Sequence, residues 1–178
     1  MTPWWWREPG RGNYVRLERE WRWLLRRVPS DAGDPVAVVD RYITGSTLRL
    51  RHLHADTGDV YKLTQKVRIE MPGAVAVTNV YLTVDEYAVL CRLPAMELTK
   101  TRRRWTVGGL GCVVDELTGR WEGIVLAELE HEGNAPMPDL PDAVDVTLDD
   151  RFTGGMLATT VQADVASVHE AVRALVNA

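Results

Sequence analysis

Like charges spaced two residues apart, repeated in five separate strand-like segments, constrain this chain more than any other feature of its sequence. Side chains two apart on a strand share a face. Glu18, Glu20 and Arg22 therefore fall together, opposite Leu17, Arg19 and Trp21. Arg49 and Arg51 share a face, as do Lys62, Thr64 and Lys66, then Lys100, Arg102 and Arg104, and finally Glu128 and Glu130. Two unit charges about 4 Å apart repel by about 4 kcal/mol at an effective dielectric near 20. One such pair is unremarkable on a solvated sheet face. Acidic pairs on two strands and basic pairs on three imply a shared lumen that clamps a polyanion together with cations.

The segments that carry these charges read as strands at 15–23, 36–43, 46–54, 61–69, 75–82, 98–107, 111–117 and 124–131. Turn chemistry separates several of them, at Thr44-Gly45-Ser46, Asp56-Thr57-Gly58-Asp59, Met71-Pro72-Gly73 and Leu117-Thr118-Gly119. Many short strands at regular spacing predict an all-β barrel or sandwich. Thr83 and Glu86 form a capping box ahead of Tyr87, Leu90 and Leu93, which predicts one helix. A Pro-rich loop at 135–141 leads towards a second, over about 160–176. There Val161, Val165, Val168, Val172 and Leu175 recur at three- and four-residue steps and form one apolar stripe. There is no internal repeat and no low-complexity tract.

A length of 178 residues suits one domain with a sizeable core. A net charge of −4 argues against a duplex nucleic-acid partner. No apolar run is long enough to span a bilayer, so no membrane partner is expected. The first residues contain Trp4, Trp5 and Trp6 but no secretory pattern, and a terminal tail is expected rather than membrane contact. Cys91 and Cys112 fit no metal spacing and suit reduced thiols, which makes the cytoplasm the default address.

The chemistry lies in the charged pairs. Carboxylates spaced i, i+2 offer hard oxygen donors to Mg2+ or Mn2+. Arginine presents a planar fork to phosphate oxygens and lysine a compact point charge. Gly108-Gly109-Leu110-Gly111 lacks the Lys-Ser/Thr of a phosphate-binding loop and reads as a turn. His52 and His54 could share a face and bind a metal, but no third ligand stands out, and ordinary strand histidines are the expectation. His131 reads as a surface neighbour of Glu130, while Tyr42, Tyr81 and Trp105 are expected to pack.

These residues resemble the CYTH family of triphosphate tunnel metalloenzymes, which includes class IV adenylate cyclases, thiamine triphosphatases and inorganic tripolyphosphatases. Glu18-Arg19-Glu20-Trp21-Arg22 is similar to its opening acidic-x-acidic-x-basic motif, with Arg22 where lysine is usual. Leu48-Arg49-Leu50-Arg51, Leu63-Thr64-Gln65-Lys66, Leu98-Thr99-Lys100-Thr101-Arg102, Val113-Val114-Asp115 and the strand ending Glu128-Leu129-Glu130 follow in family order. Val146-Thr147 and Arg151-Phe152 resemble its closing segment. The matches run from about residue 15 to 158, and their order and spacing carry the resemblance.

The resemblance implies one CYTH-like domain over 1–178, with a Trp-rich tail at 1–13 and a C-terminal helix at 160–177. It implies a mainly β fold: a closed eight-stranded antiparallel barrel whose walls are charged inwardly, with a few peripheral helices. Glu18, Glu20, Glu128 and Glu130 would be metal ligands, with Asp115 close by and Arg22 in place of the motif lysine. Arg49, Arg51, Lys66, Lys100 and Arg102 would hold the phosphate chain, joined by Lys62 and Arg104. The implied activity is hydrolysis of a small anionic triphosphate or polyphosphate with Mg2+ or Mn2+. Adenylate cyclisation and non-catalytic polyphosphate or nucleotide binding are the alternatives. Val77 and Asn79 stand where many members carry a further Glu-x-Glu, and no lysine follows Arg151-Phe152. With those charges missing, one or two metals and the usual substrate both stay open, and one strongly held metal could carry the chemistry.

Overall fold

The structure, a computed structural model, describes residues 14–71, 73–131, 136–140 and 142–176. Its sheet runs β5-β4-β3-β2-β6-β7-β8-β1, built from β1 (Arg16–Leu25), β2 (Val36–Ile43), β3 (Leu48–Ala55), β4 (Gly58–Arg68), β5 (Ala74–Leu82), β6 (Ala95–Val107), β7 (Leu110–Leu117) and β8 (Val125–His131). Every pairing is antiparallel, and β1 returns to β5 with Arg16 opposite Val77 and Arg19 opposite Ala74. That pairing closes the expected eight-stranded barrel. The Trp-rich tail at 1–13 lies outside the described residues.

A ninth strand, β9 (Ala143–Asp145), was not foreseen. It pairs with the C-terminal half of β1, at Trp23 to Leu25, on the edge that β5 leaves after Arg19. The two-residue link between β6 and β7 is Gly108-Gly109, with φ of 56° and 82°. Both values lie in the region open to glycine, as a tight hairpin turn of this kind requires.

Alternation gives the wall two unlike faces. Outside, Trp21, Trp23 and Leu25 pack with Cys112, Val114, Val125, Ala127 and Leu129. Inside, the lumen face changes character along each strand: Glu18, Glu20 and Arg22 of β1 give way to Leu24, and Glu130 and Glu128 of β8 to Leu126. Leu98 of β6 and Leu117 of β7 complete this layer, and Trp121, Ile124, Phe152, Leu157, Ala158, Val165 and Val168 cover it. One end of the barrel is therefore an apolar plug and the remainder is charged. Burying such surface contributes about 25 cal/mol per Å2.

Helices supply the cover. Helix α1 (Val84–Leu90) starts at the expected capping box, where Thr83 N donates to Glu86 and Glu86 N to Thr83 Oγ1. Helix α2 (Gly154–Thr159), also unforeseen, is capped by Thr153 and buries Leu157 and Ala158. Its Gly154 sits so close to Tyr42 that a Cβ there would meet the hydroxyl at 2.2 Å. The C-terminal helix begins later than expected: a 3-10 turn at Gln162–Asp164 precedes α3 (Val165–Val176). Val165 and Val168 of the expected stripe are buried against the plug, with Val172 and Leu175 packed beside them, whereas Val161 is exposed. Among the described residues no helix is long and apolar enough to cross a membrane.

Phe152 is fully buried at the centre of the plug. Phe152→Ala is expected to destabilise the protein by about 3–5 kcal/mol, read from the urea midpoint at unchanged slope.

Candidate functional site

Two cavities of about 300 and 330 Å3 open from the charged part of the lumen and share Glu20, Arg49, Thr64, Lys66 and Glu128 along their walls. One is also lined by Glu18, Arg51, Lys62, Asn79, Arg102 and Glu130. The other adds Arg22, Tyr42, Lys100 and the start of α2. The like-charged pairs thus meet across strands. Glu20 is opposite Glu130, Arg22 opposite Glu128, Arg51 opposite Lys62, and Arg102 opposite Asp115.

Two aspartates hold the deepest bases in place. Asp40 of β2 is wholly buried, and Arg51 donates to both its oxygens at 2.6 and 2.7 Å. Arg49 Nε and Lys100 Nζ each lie 3.6 Å away. Burial alone would push the Asp40 carboxyl up, but Lys100, Arg49 and Arg51 together hold it far below the ordinary carboxylate range. Asp115 is treated the same way: Arg102 donates to both oxygens at 2.6 Å and Lys100 to one at 2.5 Å. Burial opposes ionisation of Asp115 as well, and Lys100 and Arg102 outweigh it.

The five carboxylates read as metal ligands divide into two groups. Glu18, Glu20 and Glu130 each bring an oxygen within 4.8 Å of the others. Burial first, then Glu18 and Glu20, raise the Glu130 carboxyl. These hard oxygen donors crowd negative charge in a way that a divalent cation would relieve. Lys66 partly does so here, with Nζ at 2.8 Å from Glu20 and 3.3 Å from Glu18. Glu128 and Asp115 stand apart from this trio. Arg22 Nε donates to Glu128 at 3.0 Å and Arg102 lies 3.5 Å from it, so bases hold both acids. Arg22 also donates to Glu20 at 3.1 Å.

The expected phosphate-holding bases converge with one exception. Arg104 follows the alternation of β6 but is exposed and lines neither cavity. Lys62 lines the first cavity with no acid within ion-pair distance among the described residues. Burial, then Arg51 and Arg49, push its ammonium down to about 8. Beside it Thr64 donates to Asn79 Oδ1 at 2.8 Å and Arg49 reaches the Thr64 hydroxyl at 3.4 Å. Neutral Val77 and Asn79 do occupy the lumen face of β5.

Asp40 is the lumen residue the sequence reading missed. It has no like-charged neighbour two positions away, and its one signal is an acid directly after the apolar run Val36-Ala37-Val38-Val39. Outside the lumen, His131 stacks on Trp21 at 3.7 Å. Tyr42 and Trp105 pack as expected. Tyr81 does not, being 74% exposed.

No profile of a known protein family matches the chain, and no curated protein matches it in sequence. Solved structures do match. The crystal structure of a protein described first as hypothetical and then as the inorganic triphosphatase NE1496 superposes with TM-scores of 0.56 and 0.55 at 22% and 20% identity. The similarity covers 81% of this chain and 99% and 95% of the two structures. PH1819 from Pyrococcus horikoshii OT3 superposes with a TM-score of 0.50 at 17% identity, over 89% of both chains. The resemblance read in the motifs is thus borne out in the fold.

Removing Asp40 would leave Arg51, Arg49 and Lys100 buried without their shared counter-charge. Asp40→Ala is expected to cost about 3–5 kcal/mol in chemical denaturation. Because the folded value of Asp40 lies below the unfolded one, its stabilisation is present above about pH 4 and is lost as pH falls towards the folded value. The wild-type urea midpoint should fall steeply below about pH 4, and less steeply in the variant.

Proposed function

We propose that this chain hydrolyses the terminal phosphoryl group of inorganic tripolyphosphate or a related organic triphosphate, using Mg2+ or Mn2+. The observation that carries the reading is one cavity in which Glu18, Glu20 and Glu130 converge beside Arg49, Arg51, Lys62, Lys66 and Arg102. Similarity in fold to the protein described as an inorganic triphosphatase supports it.

Glu18, Glu20 and Glu130 would hold the divalent ion, which supplies charge neutralisation and a template for the attacking water. The chain's own bases do the remaining work. Arg51 and Arg102 bond their aspartates through Nε and Nη2, which leaves Nη1 of each without a hydrogen bond among the described residues and able to donate to a phosphate oxygen. Held in place before substrate arrives, both guanidinium groups act without reorganising as charge shifts onto the leaving phosphate. Lys66 bridges the acid trio and the basic row, so it senses both the cation and the anion. Lys62 supplies charge that no acid among the described residues pairs with at ion-pair distance.

Neutral Val77 and Asn79 favour a second reading, a polyphosphate-binding module that keeps the basic cradle without turnover. Activity assays across substrates and metals separate the two. Phosphate release from tripolyphosphate that needs Mg2+ or Mn2+ is expected, reduced at least a hundredfold in Glu130→Gln. Tight, salt-sensitive tripolyphosphate binding with no release under any metal would establish the binding module instead. A Lys66→Ala loss in both kcat and kcat/KM would mark contact in the transition state, and a loss confined to KM would mark uniform binding.

Lys62 generates a pH prediction. Its charge, present below about 8 and lost above it, is required for anion contact. Tripolyphosphate affinity in calorimetry should weaken as pH rises beyond about 8, and Lys62→Arg should flatten that dependence.

A further inference from the structure

On the outer wall, behind the basic row, β3 and β4 present a second cluster with different chemistry. Alternation that turns Arg49 and Arg51 into the lumen turns His52 and His54 outward. The antiparallel register sets His54 opposite Asp59 and His52 opposite Tyr61. His52, His54 and Asp59 each bring a ligand atom within 4.8 Å of the others. We propose that these three residues form a metal site on the outer wall that takes a transition-metal dication such as Zn2+.

Several features single this cluster out from ordinary strand histidines. His54 Nδ1 lies 2.5 Å and His52 Nε2 3.4 Å from the same oxygen, Asp59 Oδ1. His52 Nε2 is shielded from solvent yet has no hydrogen-bond partner among the described residues. A buried polar atom without a partner normally carries a cost, and a metal would remove it. The other carboxylate oxygen, Oδ2, accepts from the Tyr61 hydroxyl at 3.0 Å. Outer contacts of this sort aim a ligand carboxylate at a metal. The His52 ring is wedged against Tyr61 at 4.7 Å and lies 5.7 Å from Tyr87, which fixes where Nε2 points. The two imidazoles meet edge to face at 69°, so their nitrogens approach one point from different directions.

Ligand type decides the metal. Two imidazole nitrogens and one carboxylate suit Zn2+, Ni2+ or Cu2+ and not the all-oxygen preference of Mg2+. In a tetrahedral site, ligand atoms about 2.0–2.1 Å from Zn2+ are roughly 3.3 Å apart. The His52 contact already has that spacing. His54, whose side chain is 70% exposed, has room to swing outward and, as the tautomer with its hydrogen on Nε2, offers the Nδ1 lone pair to the ion. A fourth position stays open to water, and the bound ion would pin β3 to β4 directly behind Arg51 and Lys62, which are themselves paired.

The test is calorimetric titration of the full chain with Zn2+ in excess Mg2+, which occupies the oxygen-rich trio of the lumen. One Mg2+-resistant equivalent of Zn2+ is expected, bound at least tenfold more weakly in His54→Ala and unchanged in Glu130→Gln. Zn2+ should also raise the thermal midpoint of the wild type and not that of His54→Ala, since only the state that binds is stabilised. Loss of the equivalent in Glu130→Gln, or its full retention in His54→Ala, would overturn the proposal, as would no Mg2+-resistant binding in the wild type. The metal-free melting curve of His54→Ala separates a lost ligand from a lost fold.

Discussion

Everything inside this barrel depends on pairing Asp40 with Arg51 and Asp115 with Arg102, with Lys100 shared between the two acids. A closed wall must fill its interior, and eight strands leave just enough room for side chains. Filling that room with charge is costly, because each ion loses several kcal/mol of hydration. The cost is tolerable only where opposite charges are held at hydrogen-bond distance with both carboxylate oxygens used, the arrangement seen at both aspartates. Like-charged pairs along one strand are thus compatible with folding because the counter-charges come from neighbouring strands.

Compensation is graded along the barrel axis. At the plugged end the lumen is leucine, and next to it lie the fully paired aspartates. Farther out, Glu128 is shared between Arg22 and Arg102, and Lys66 divides itself between Glu18 and Glu20. At the outermost level the pairing fails in both senses: Glu130 is crowded by acids, and Lys62 faces arginines. Charge left unsatisfied near an opening is available to ligands. By charge alone the crowded acids would favour a cation and the unpaired base an anion, and the proposed function draws on both ends of this gradient.

Most of this was legible in sequence, for a physical reason. Alternation at period two is a local property, and it placed Glu18, Glu20, Arg49, Arg51, Lys62, Lys66, Lys100, Arg102, Glu128 and Glu130 on one face each before any strand was paired. Features that depend on a partner strand were not legible. Asp40 has no companion on its own strand, and its meaning comes from Arg51 across the ladder. Asp59 completes a cluster with His52 and His54 only through the hairpin register. Arg104 shares the alternation of Lys100 and Arg102 but is exposed and lines neither cavity, although Val113, its partner across the ladder, lines the first. The short β9 and α2 carry weak local signals, since the first spans three residues and the second, beyond its Thr153 cap, opens on Gly154-Gly155. Packing on β1 and on the plug forms them, not propensity.

The neutral face of β5 gives the gradient its consequence. Acids at Val77 and Asn79 would stand opposite Lys66 and Thr64 on the ladder and would give Lys62 and Arg49 local counter-charges. In their absence Asn79 offers only an amide oxygen to Thr64, and Arg49 keeps a shielded Nε without a hydrogen bond. The β3–β4 side of the lumen therefore carries basic charge from Arg49, Arg51, Lys62 and Lys66 without an acid of its own. A polyanion, if bound as proposed, would supply the counter-charge that acids at Val77 and Asn79 would have supplied, without first displacing a carboxylate from Lys62. Binding energy that would otherwise be spent breaking an ion pair would then go into holding the proposed substrate. Under the proposed function, neutral Val77 and Asn79 would leave fewer acids for a cation and more unpaired base for an anion, so hydrolysis and retention of a polyphosphate would compete on that one wall.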